Sequence, residues 1–283
     1  MASRSGPSAR RMRLGTELRK LRERAGMTST EAARLVGTSP GQLSNIETAR
    51  FGASADRVRA IARIYDCADQ PFIDALAEMA TDRKRGWWEE YHESLPAGLR
   101  DLAELEHHAQ SLRTAYTSHI PGLLQTADHA REVFRQVVPE LTPPEIEHRV
   151  SHRIKRQDVV YRAAPIPYST VVHEAALRMT FGGPATARRQ LEHLLDMSER
   201  EHIAVRVIPF DAGAFPGSGQ SVCYALGPVP QLDTVHLDQS HGSVLLDAEA
   251  QLAKYRTLLD RMEAVSLDEP ESRDLIHGIA QHL

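Results

Sequence analysis

The chain is poor in the features that mark membrane, secreted and zinc-binding proteins. It has only two cysteines, Cys67 and Cys223, which lie far apart and outside any CxxC pair, so we expect neither a disulfide framework nor a zinc site. No apolar run reaches the roughly 18 residues of a membrane span. The basic N-terminus lacks the apolar core of a signal peptide. The sequence therefore predicts a cytoplasmic protein that does not enter a membrane.

Signatures of catalysis are equally scarce. The glycine-rich segment at 209–219, PFDAGAFPGSG, has no Lys-Ser/Thr ending and opens no helix, which argues against a phosphate-binding loop. A GxSxG nucleophile elbow is missing, and neither cysteine sits in a recognisable nucleophile motif. We expect no catalytic residue and no cofactor, so the sequence favours a protein that is not an enzyme.

Two histidine patterns resemble metal sites without matching them. His236, Asp238 and His241 have the composition of a two-histidine, one-carboxylate iron site, but such sites usually draw the second histidine from a distant strand. His148 and His152 are spaced like the histidines of HExxH but lack its glutamate. The sequence therefore predicts no metal site.

Charge is distributed unevenly along the 283 residues. Residues 1–66 carry 13 Lys and Arg against 6 Asp and Glu, a net charge of +7, whereas the whole chain has a net charge of −4. A basic arm is expected at 1–10, and a second basic cluster stands at 83–85. A basic module joined to an acidic body is expected when only the first part meets phosphate.

Residues 28–50 have the spacing of two short helices that cross at a tight turn. Ala33 is small where the helices must approach closely, Gly37 falls at the turn, and Ser39 can cap the second helix. Leu43 and Ile46 give that second helix one apolar face. This pattern predicts a helix-turn-helix whose second helix enters the major groove of DNA.

The remaining periodicity predicts an α+β protein: an all-α helix-turn-helix domain followed by a larger mixed domain of helices and a small sheet. We expect the first domain at 1–66, a linker region at 67–100 and the larger domain at 101–283. In the larger domain, apolar residues at helical spacing predict a helix over 99–116. Four or five short strands are expected after residue 165, and Ser266 with Glu269 suggests a capping box for the last helix.

The N-terminal region resembles the phage-repressor-like (Xre family) helix-turn-helix domain. The matching segments, in order, are LRKLRERAGMT, EAARLVG and SPGQLSNIE. By this resemblance the recognition helix begins at Ser39. The residues then expected to face the bases are Pro40, Gly41, Gln42, Ser44 and Asn45. The positions that resemble phosphate contacts are Arg22, Ser29, Ser39, Thr48 and Arg50.

Only Gln42 and Asn45 among the expected base contacts can pair a donor with an acceptor, as adenine requires. Part of the specificity is therefore expected from DNA deformability or a second half-site. The sequence departs from many relatives at Ala49, where they have a glycine, so a less sharp turn and a changed aim of Arg50 are expected.

The rest of the chain resembles a C-terminal domain of unknown function found in many actinobacterial regulators. The segments that carry this resemblance are PGLLQT at 121–126, HRIKRQ at 152–157, HEAALR at 173–178, GGPATARRQLEHLL at 182–195, VIPFDAGAFPG at 207–217 and LDEPESRDLI at 267–276. The resemblance implies transcriptional regulation, often beside a gene for a small partner protein. It implies no particular ligand.

These observations predict a sequence-specific transcriptional regulator that binds double-stranded DNA as a homodimer on a palindromic operator. One helix-turn-helix domain buries only about 600–1,000 Å² on DNA, too little for tight selective binding alone. The larger domain is expected to sense a small-molecule effector or a small protein partner encoded nearby. Two alternatives stay open: a DNA-binding antitoxin-like member of a two-protein module, and an enzyme tethered to DNA.

Overall fold

The computed structural model describes residues 6–81, 86–217, 219–239 and 242–283. Four features singled out in the sequence fall wholly or partly outside these ranges. They are the first five residues of the basic arm, the basic cluster at 83–85, Ser218 of the glycine-rich segment and His241.

The chain divides into two compact units, one ending at Glu89 and the other running from Glu90 to Leu283. We call them the helix-turn-helix unit and the sheet unit. The division falls inside the segment 67–100 that was expected to be a linker.

Five helices form the described part of the helix-turn-helix unit. They are α1 (Ala9–Arg24), α2 (Ser29–Val36), α3 (Pro40–Glu47), α4 (Ala55–Ile64) and α5 (Gln70–Thr81). The leucines that recur along α1, such as Leu14 and Leu18, are buried together with Leu43 of α3 and Ile61 of α4. Burying one such side chain is worth about 1.5–3 kcal/mol, so these apolar stripes hold the helices together.

The first helix begins earlier than expected. α1 starts at Ala9, inside the segment 1–10 that was predicted as a basic arm. The hydroxyl of Ser8 accepts a hydrogen bond from the backbone N–H of Arg11 at 3.4 Å, which satisfies one of the otherwise unpaired N–H groups of the first turn.

α5 lies in the expected linker and contributes to the core of the first unit. Its residues Phe72, Ile73 and Leu76 are buried, and the helix packs against α1 and α4. The apolar face of α5 is the reason that this stretch folds with the helices before it.

The sheet unit contains eight described helices and six described strands. The helices are α6 (Ala97–His108), α7 (Ala127–Arg135), α8 (Pro143–Arg156), α9 (Asp158–Tyr161), α10 (Glu174–Arg178), α11 (Pro184–Ser198), α12 (Glu249–Ala264) and α13 (Glu269–Gln281). The strands are β1 (Ser111–Tyr116), β2 (Tyr168–His173), β3 (Ile203–Ile208), β4 (Val222–Leu226), β5 (Thr234–Gln239) and β6 (Gly242–Leu246).

The six strands form one mixed sheet in the order β3-β2-β1-β4-β5-β6. The pairs β1–β2 and β2–β3 are parallel, and the other three pairs are antiparallel. In register, Ala115 of β1 lies between Val171 of β2 and Val222 of β4. The α+β class predicted from the sequence is confirmed.

Apolar side chains project from both faces of the sheet and pack into two separate cores. On one face, Leu112 and Val172 belong to a cluster that includes Leu194 of α11 and Ile276 of α13. On the other face, Ala115 and Val171 pack with α12, through a cluster that is completed by Leu252, Tyr255, Leu259 and Met262. Because successive side chains of a strand point to opposite faces, both faces need helical cover, and both have it.

The helix predicted over 99–116 was wrong in its second half. α6 ends at His108, and β1 follows as a central strand with Leu112 and Thr114 almost fully buried. The apolar spacing of this stretch also fits a helix. Pairing with β2 and β4 decides the outcome, and only the tertiary structure supplies those partners.

The capping box of the last helix was placed too early in the sequence. The capping residue of α13 is Asp268, whose side chain accepts from the backbone N–H of Glu271 at 2.9 Å. The carboxylate of Glu271 accepts in return from the N–H of Asp268 at 3.2 Å. Ser266 instead donates its hydroxyl to the carbonyl of Glu263.

Across the ranges that the structure describes, the helices are too short or too polar to cross a bilayer.

Candidate nucleic-acid interface

The turn between α2 and α3 is built from local signals. α2 begins with a capping box between Thr28 and Glu31, and Gly37, which follows its last residue, has a left-handed φ of 72°. α3 begins at Pro40 after Ser39, whose hydroxyl accepts from the N–H of Gln42 at 3.2 Å. Glycine adopts a left-handed conformation without strain, and proline tolerates the first helical position. The predicted helix-turn-helix geometry is therefore present.

α3 presents its polar side outward. Leu43 and Ile46 are buried in the unit, as their spacing predicted. The five expected base contacts lie on the rest of the helix, where all are at least partly exposed: Pro40, Gly41, Gln42, Ser44 and Asn45. No described atom lies within 4 Å of a Cβ built on Gly41, so this position has open space in front of it. Whether these residues touch bases stays a prediction.

Gln42 also helps to cap α3, a role that the sequence did not predict. Its amide oxygen accepts from the hydroxyl of Thr38 at 2.6 Å and from the N–H of Ser39 at 3.4 Å. The oxygen is thus engaged in the capping box, and the amide N–H groups are left to donate to a base. A paired donor and acceptor contact to adenine would require the cap to open.

Arg22 is placed differently from the phosphate contact that was expected. Its guanidinium donates to both carboxylate oxygens of Glu47, at 2.7 and 3.0 Å, and to the carbonyl of Met27 at 2.9 Å. The side chain is only 10% exposed. Hydrogen bonding to Glu47 raises the pKa of Arg22 despite burial. This arginine ties α1 to the end of the recognition helix instead of facing solvent.

The other expected phosphate contacts are accessible. Ser39 and Arg50 are exposed, and Ser29 is half-buried at the start of α2. Thr48 is exposed, with its hydroxyl donating to the carbonyl of Ser44 at 2.7 Å. Their contact with phosphate stays a prediction.

Ala49 keeps the turn that a glycine would make. Its φ is 58°, in the left-handed region, and its side chain is buried. The expectation of a less sharp turn was wrong. The chain accepts here a left-handed conformation that costs a residue with a Cβ about 1–2 kcal/mol.

Two residues near α3 were missed by sequence reasoning. A Cβ on Gly15 of α1 would lie 2.5 Å from the carbonyl oxygen of Glu47, so this glycine lets α1 approach the backbone at the end of α3. The guanidinium of Arg11 lies 3.8 Å from the position of a Cβ built on Gly52, which places a basic group at the loop after Arg50. A glycine among leucines in α1 was the available signal for the first, and the sequence carries none for the second.

In the sheet unit, three of the motifs noted in the sequence meet at one place. The side chain of Gln190 donates to the carbonyl of Leu124 and accepts from the N–H of Thr126, both at 2.7 Å. The carbonyl of Gln125 accepts from the side chain of Gln157 at 2.6 Å. Glutamines from α11 and from the end of α8 thus hold the segment 121–126 by its backbone.

A buried ion pair lies beside this segment. Arg156 donates to both oxygens of Glu106, at 2.7 and 2.6 Å, and both side chains are at most 5% exposed. Burial opposes the charged form of Arg156, but the adjacent carboxylate more than offsets that effect and raises the pKa of the guanidinium. Such a pair is strongly destabilising when one partner is removed.

The tempting metal patterns gain no support from the geometry. His236 is buried on β5 and Asp238 is exposed on the same strand, while His241 lies outside the described residues. His152 is buried on α8, and His148 of the same helix is exposed. Among the described residues, His, Cys, Asp and Glu form no group of three that could hold a metal.

Comparison with known families agrees with this division of the chain. A family model for a helix-turn-helix domain matches residues 13–76. A second family model, for a domain of unknown function (DUF5753), matches residues 99–278, which is more than half of the chain. The chain belongs to this family. Neither a curated protein nor a solved structure matches it significantly.

The two matches fall on the two units. The helix-turn-helix match covers α2 and α3 together with the helices that support them, and it ends inside α5. The DUF5753 match covers the whole sheet. The first match identifies a domain class that is typical of DNA-binding regulators.

Proposed function

We propose that this protein is a sequence-specific DNA-binding transcriptional regulator of the Xre type. The observation that carries the proposal is the exposed polar face of α3, with Gln42, Ser44 and Asn45 on it and the apolar side chains of the helix buried. The net charge of +7 over residues 1–66 favours approach of this face to phosphate. Arg50, Ser39, Ser29 and Thr48 would position the domain.

The geometry of α3 refines the proposed roles of its residues. The N–H groups of Gln42 are available to a base acceptor while its oxygen caps the helix. Asn45 lies one turn further on and is partly exposed. Arg22 is a positioning residue, because its guanidinium fixes Glu47 at the end of the same helix.

We further propose that the protein acts as a homodimer on a palindromic operator. A single helix-turn-helix domain offers too little interface for selective binding, and two copies would read half-sites about one helical turn, roughly 34 Å, apart. The sheet unit would supply the dimer contacts and sense a small molecule or a small protein partner, without catalysing a reaction.

The test uses the full chain and an operator selected from random-sequence DNA. We expect Gln42→Ala to weaken operator binding by about 1–3 kcal/mol more than it weakens binding to random DNA. Loss of the Gln42 cap affects both DNAs, whereas loss of the base contact affects the operator alone. Arg50→Ala should weaken binding to both DNAs. It should also make the slope of log K against log salt concentration shallower by about one. Titrations at several salt concentrations measure both effects.

Ser39→Ala is the matched control, because it removes the oxygen that caps the backbone N–H of Gln42 and leaves the side-chain amide of Gln42 in place. It should weaken binding to both DNAs in similar proportion. Equal losses on operator and random DNA for Gln42→Ala would refute base reading by that residue. A failure of the full chain to select any sequence would refute the proposed function.

A further inference from the structure

Arg153 of α8 has a partly buried guanidinium without a carboxylate partner. Its Nη1 donates to the amide oxygen of Gln125 at 2.5 Å, and the group lies over the ring of Phe134 at 4.6 Å. Its Nε is buried and has no hydrogen-bond acceptor among the described residues. The direct partners of this guanidinium among the described residues are therefore neutral.

The nearest candidates for a counter-charge are already engaged or distant. Glu106 is held by both donors of Arg156, one helical turn along α8. Asp238 influences Arg153 only through longer-range attraction, and no acid in the described ranges lies within ion-pair distance of it. Burial and the neighbouring Arg156 lower the pKa of Arg153 to about 10, which leaves it charged at neutral pH.

His129 of α7 is a second unsatisfied polar group in the same place. It is 1% exposed, and neither ring nitrogen has a hydrogen-bond partner in the described part of the chain. Burial first, and then Arg153 and His119, lower the pKa of His129 to about 4, so the ring is neutral and offers one donor and one acceptor. An unsatisfied buried polar group is costly, which makes two of them together unusual.

An aromatic side chain connects this interior position with the surface. The ring of Phe181 meets His129 edge-on at 5.5 Å and stacks with His119 at 5.8 Å. Phe181 is half-buried and His119 is exposed. The order from the surface inward is thus His119, Phe181 and His129.

The location within the fold favours ligand binding. β1 and β2 are parallel, and Tyr116 and His173 stand at their carboxyl ends. The segment 117–126, which carries His119 and Gln125, leaves the sheet at this edge. Ligands of open sheets with parallel strands bind outside the carboxyl ends of those strands, at the point where the strand order reverses.

We propose that Arg153, His129, Gln125 and Phe181 form a binding site for a small organic acid. Its carboxylate would pair with the guanidinium of Arg153 and accept the hydrogen bond that neutral His129 can donate. Its planar body would lie against the ring of Phe181. Such a ligand supplies the anion that Arg153 lacks and the partner that His129 lacks.

Calorimetric titration of the full chain with benzoate, in the absence of DNA, tests this site. We expect benzoate to bind with a Kd of about 1 mM or tighter, a typical strength for so small a ligand. Benzyl alcohol, which has the same ring and no charge, should bind at least about tenfold more weakly, because it cannot pair with Arg153.

Three variants sharpen the result. Arg153→Gln should weaken benzoate binding by about tenfold or more. Lys155→Gln removes an exposed cation from the same helix and should change binding by less than about twofold. His129→Phe should weaken benzoate binding and raise the melting temperature of the ligand-free protein by roughly a few degrees, because it removes unsatisfied nitrogens.

Two outcomes would overturn the proposal. One is benzoate binding that Arg153→Gln, shown to be folded by circular dichroism, leaves unchanged. The other is a wild-type protein that takes up neither benzoate nor other small carboxylates at about 10 mM, a result that would assign the unsatisfied atoms to water alone. An effector role for this ligand rests on the proposed regulatory function. The binding test does not depend on that function, so the proposed site and the proposed function can fail separately.

Discussion

The two units differ in where they keep their titratable and charged groups. The helix-turn-helix unit contains no histidine, and all 14 histidines of the chain lie in the sheet unit. In the described part of the first unit, the buried charges are the Arg22–Glu47 pair and Glu17, each held by ion pairs. The sheet unit buries the Glu106–Arg156 pair, the carboxylates of Glu174 and Asp233, and three histidines whose pKa burial lowers, His129, His152 and His236.

The two units therefore place the polar groups that could bind a partner differently, at the surface in the first unit and in the interior in the second. In the first unit, the polar groups of interest lie on the outer face of α3, and the core serves mainly to aim that helix. In the second, polar groups are concentrated beneath the carboxyl ends of β1 and β2, where desolvation makes them costly. Costly buried groups point to an internal site, so binding chemistry is expected inside the sheet unit and on the outside of the helix-turn-helix unit.

The largest expected effect comes from the buried ion pair of the sheet unit. Glu106→Gln should destabilise that unit by about 3–5 kcal/mol, because it leaves the charge of Arg156 without a partner in a desolvated place. Hydrogen exchange resolved by peptide measures the effect unit by unit.

The exposed pair between Arg131 and Glu147 provides the control. Glu147→Gln should leave exchange rates in the sheet unit unchanged, since solvent screens exposed pairs. An equally small effect of Glu106→Gln would show that the sheet unit does not depend on its buried charges, and the contrast between the two units would fail.

The second effect is a response to acid in the sheet unit. Burial, and then nearby arginines, lower the pKa of His129 to about 4 and that of His152 to about 3. An unfolded histidine titrates near 6.5, so below that pH the unfolded state binds more protons and stability falls as pH falls. Each histidine should cost at most about 2 kcal/mol between pH 7 and pH 5.

Stability of the two units measured at pH 7, 6 and 5 checks this response. His129→Phe should reduce the loss, and the exposed His148→Gln should leave it unchanged. The helix-turn-helix unit should show little change over the same range. A sheet unit as insensitive to pH as its neighbour would contradict the assigned protonation states.

The third effect compares two glycines of the helix-turn-helix unit. Gly15→Ala would place a methyl group 2.5 Å from the carbonyl of Glu47 and should destabilise the unit by about 1–3 kcal/mol. Gly41→Ala meets open space and should stabilise α3 by up to about 1 kcal/mol through helix propensity. Thermal unfolding distinguishes the two, and a tolerated Gly15→Ala would mean that α1 does not fix the end of α3.

The smallest effect concerns the turn after α3. Ala49→Gly should relieve the strain of a left-handed conformation. It also removes a buried methyl group and raises the conformational entropy of the unfolded chain, so we expect a net gain in stability below about 1 kcal/mol. The melting temperature reports it. A marked loss of stability would show that the methyl contacts outweigh the strain.

Prediction from sequence succeeded where signals are local. The spacing of Gly37, Ser39, Leu43 and Ile46 was enough to place α2, the turn and α3, because caps, glycine conformation and apolar periodicity act within a few residues. Arg22 could not be placed in this way. Its partner Glu47 is 25 residues distant in the sequence. The residues next to an arginine do not reveal whether its side chain is exposed or buried.

In the sheet unit, the strands with strong β-branched alternation, such as β3, were predicted, whereas β1 was assigned to a helix. The proposed acid site could not be predicted either. Gln125, His129, Arg153 and Phe181 are scattered over α7, α8 and two loops, and the sequence offers no spacing that links them.

The sequence by itself determined the class of the first unit, its charge and the α+β character of the whole, since composition, capping and periodicity are properties of neighbouring residues. The tertiary structure alone decided which polar groups are buried and with what partner. Burial and pairing depend on residues brought together from distant parts of the chain, as Arg153, His129 and Glu106 show.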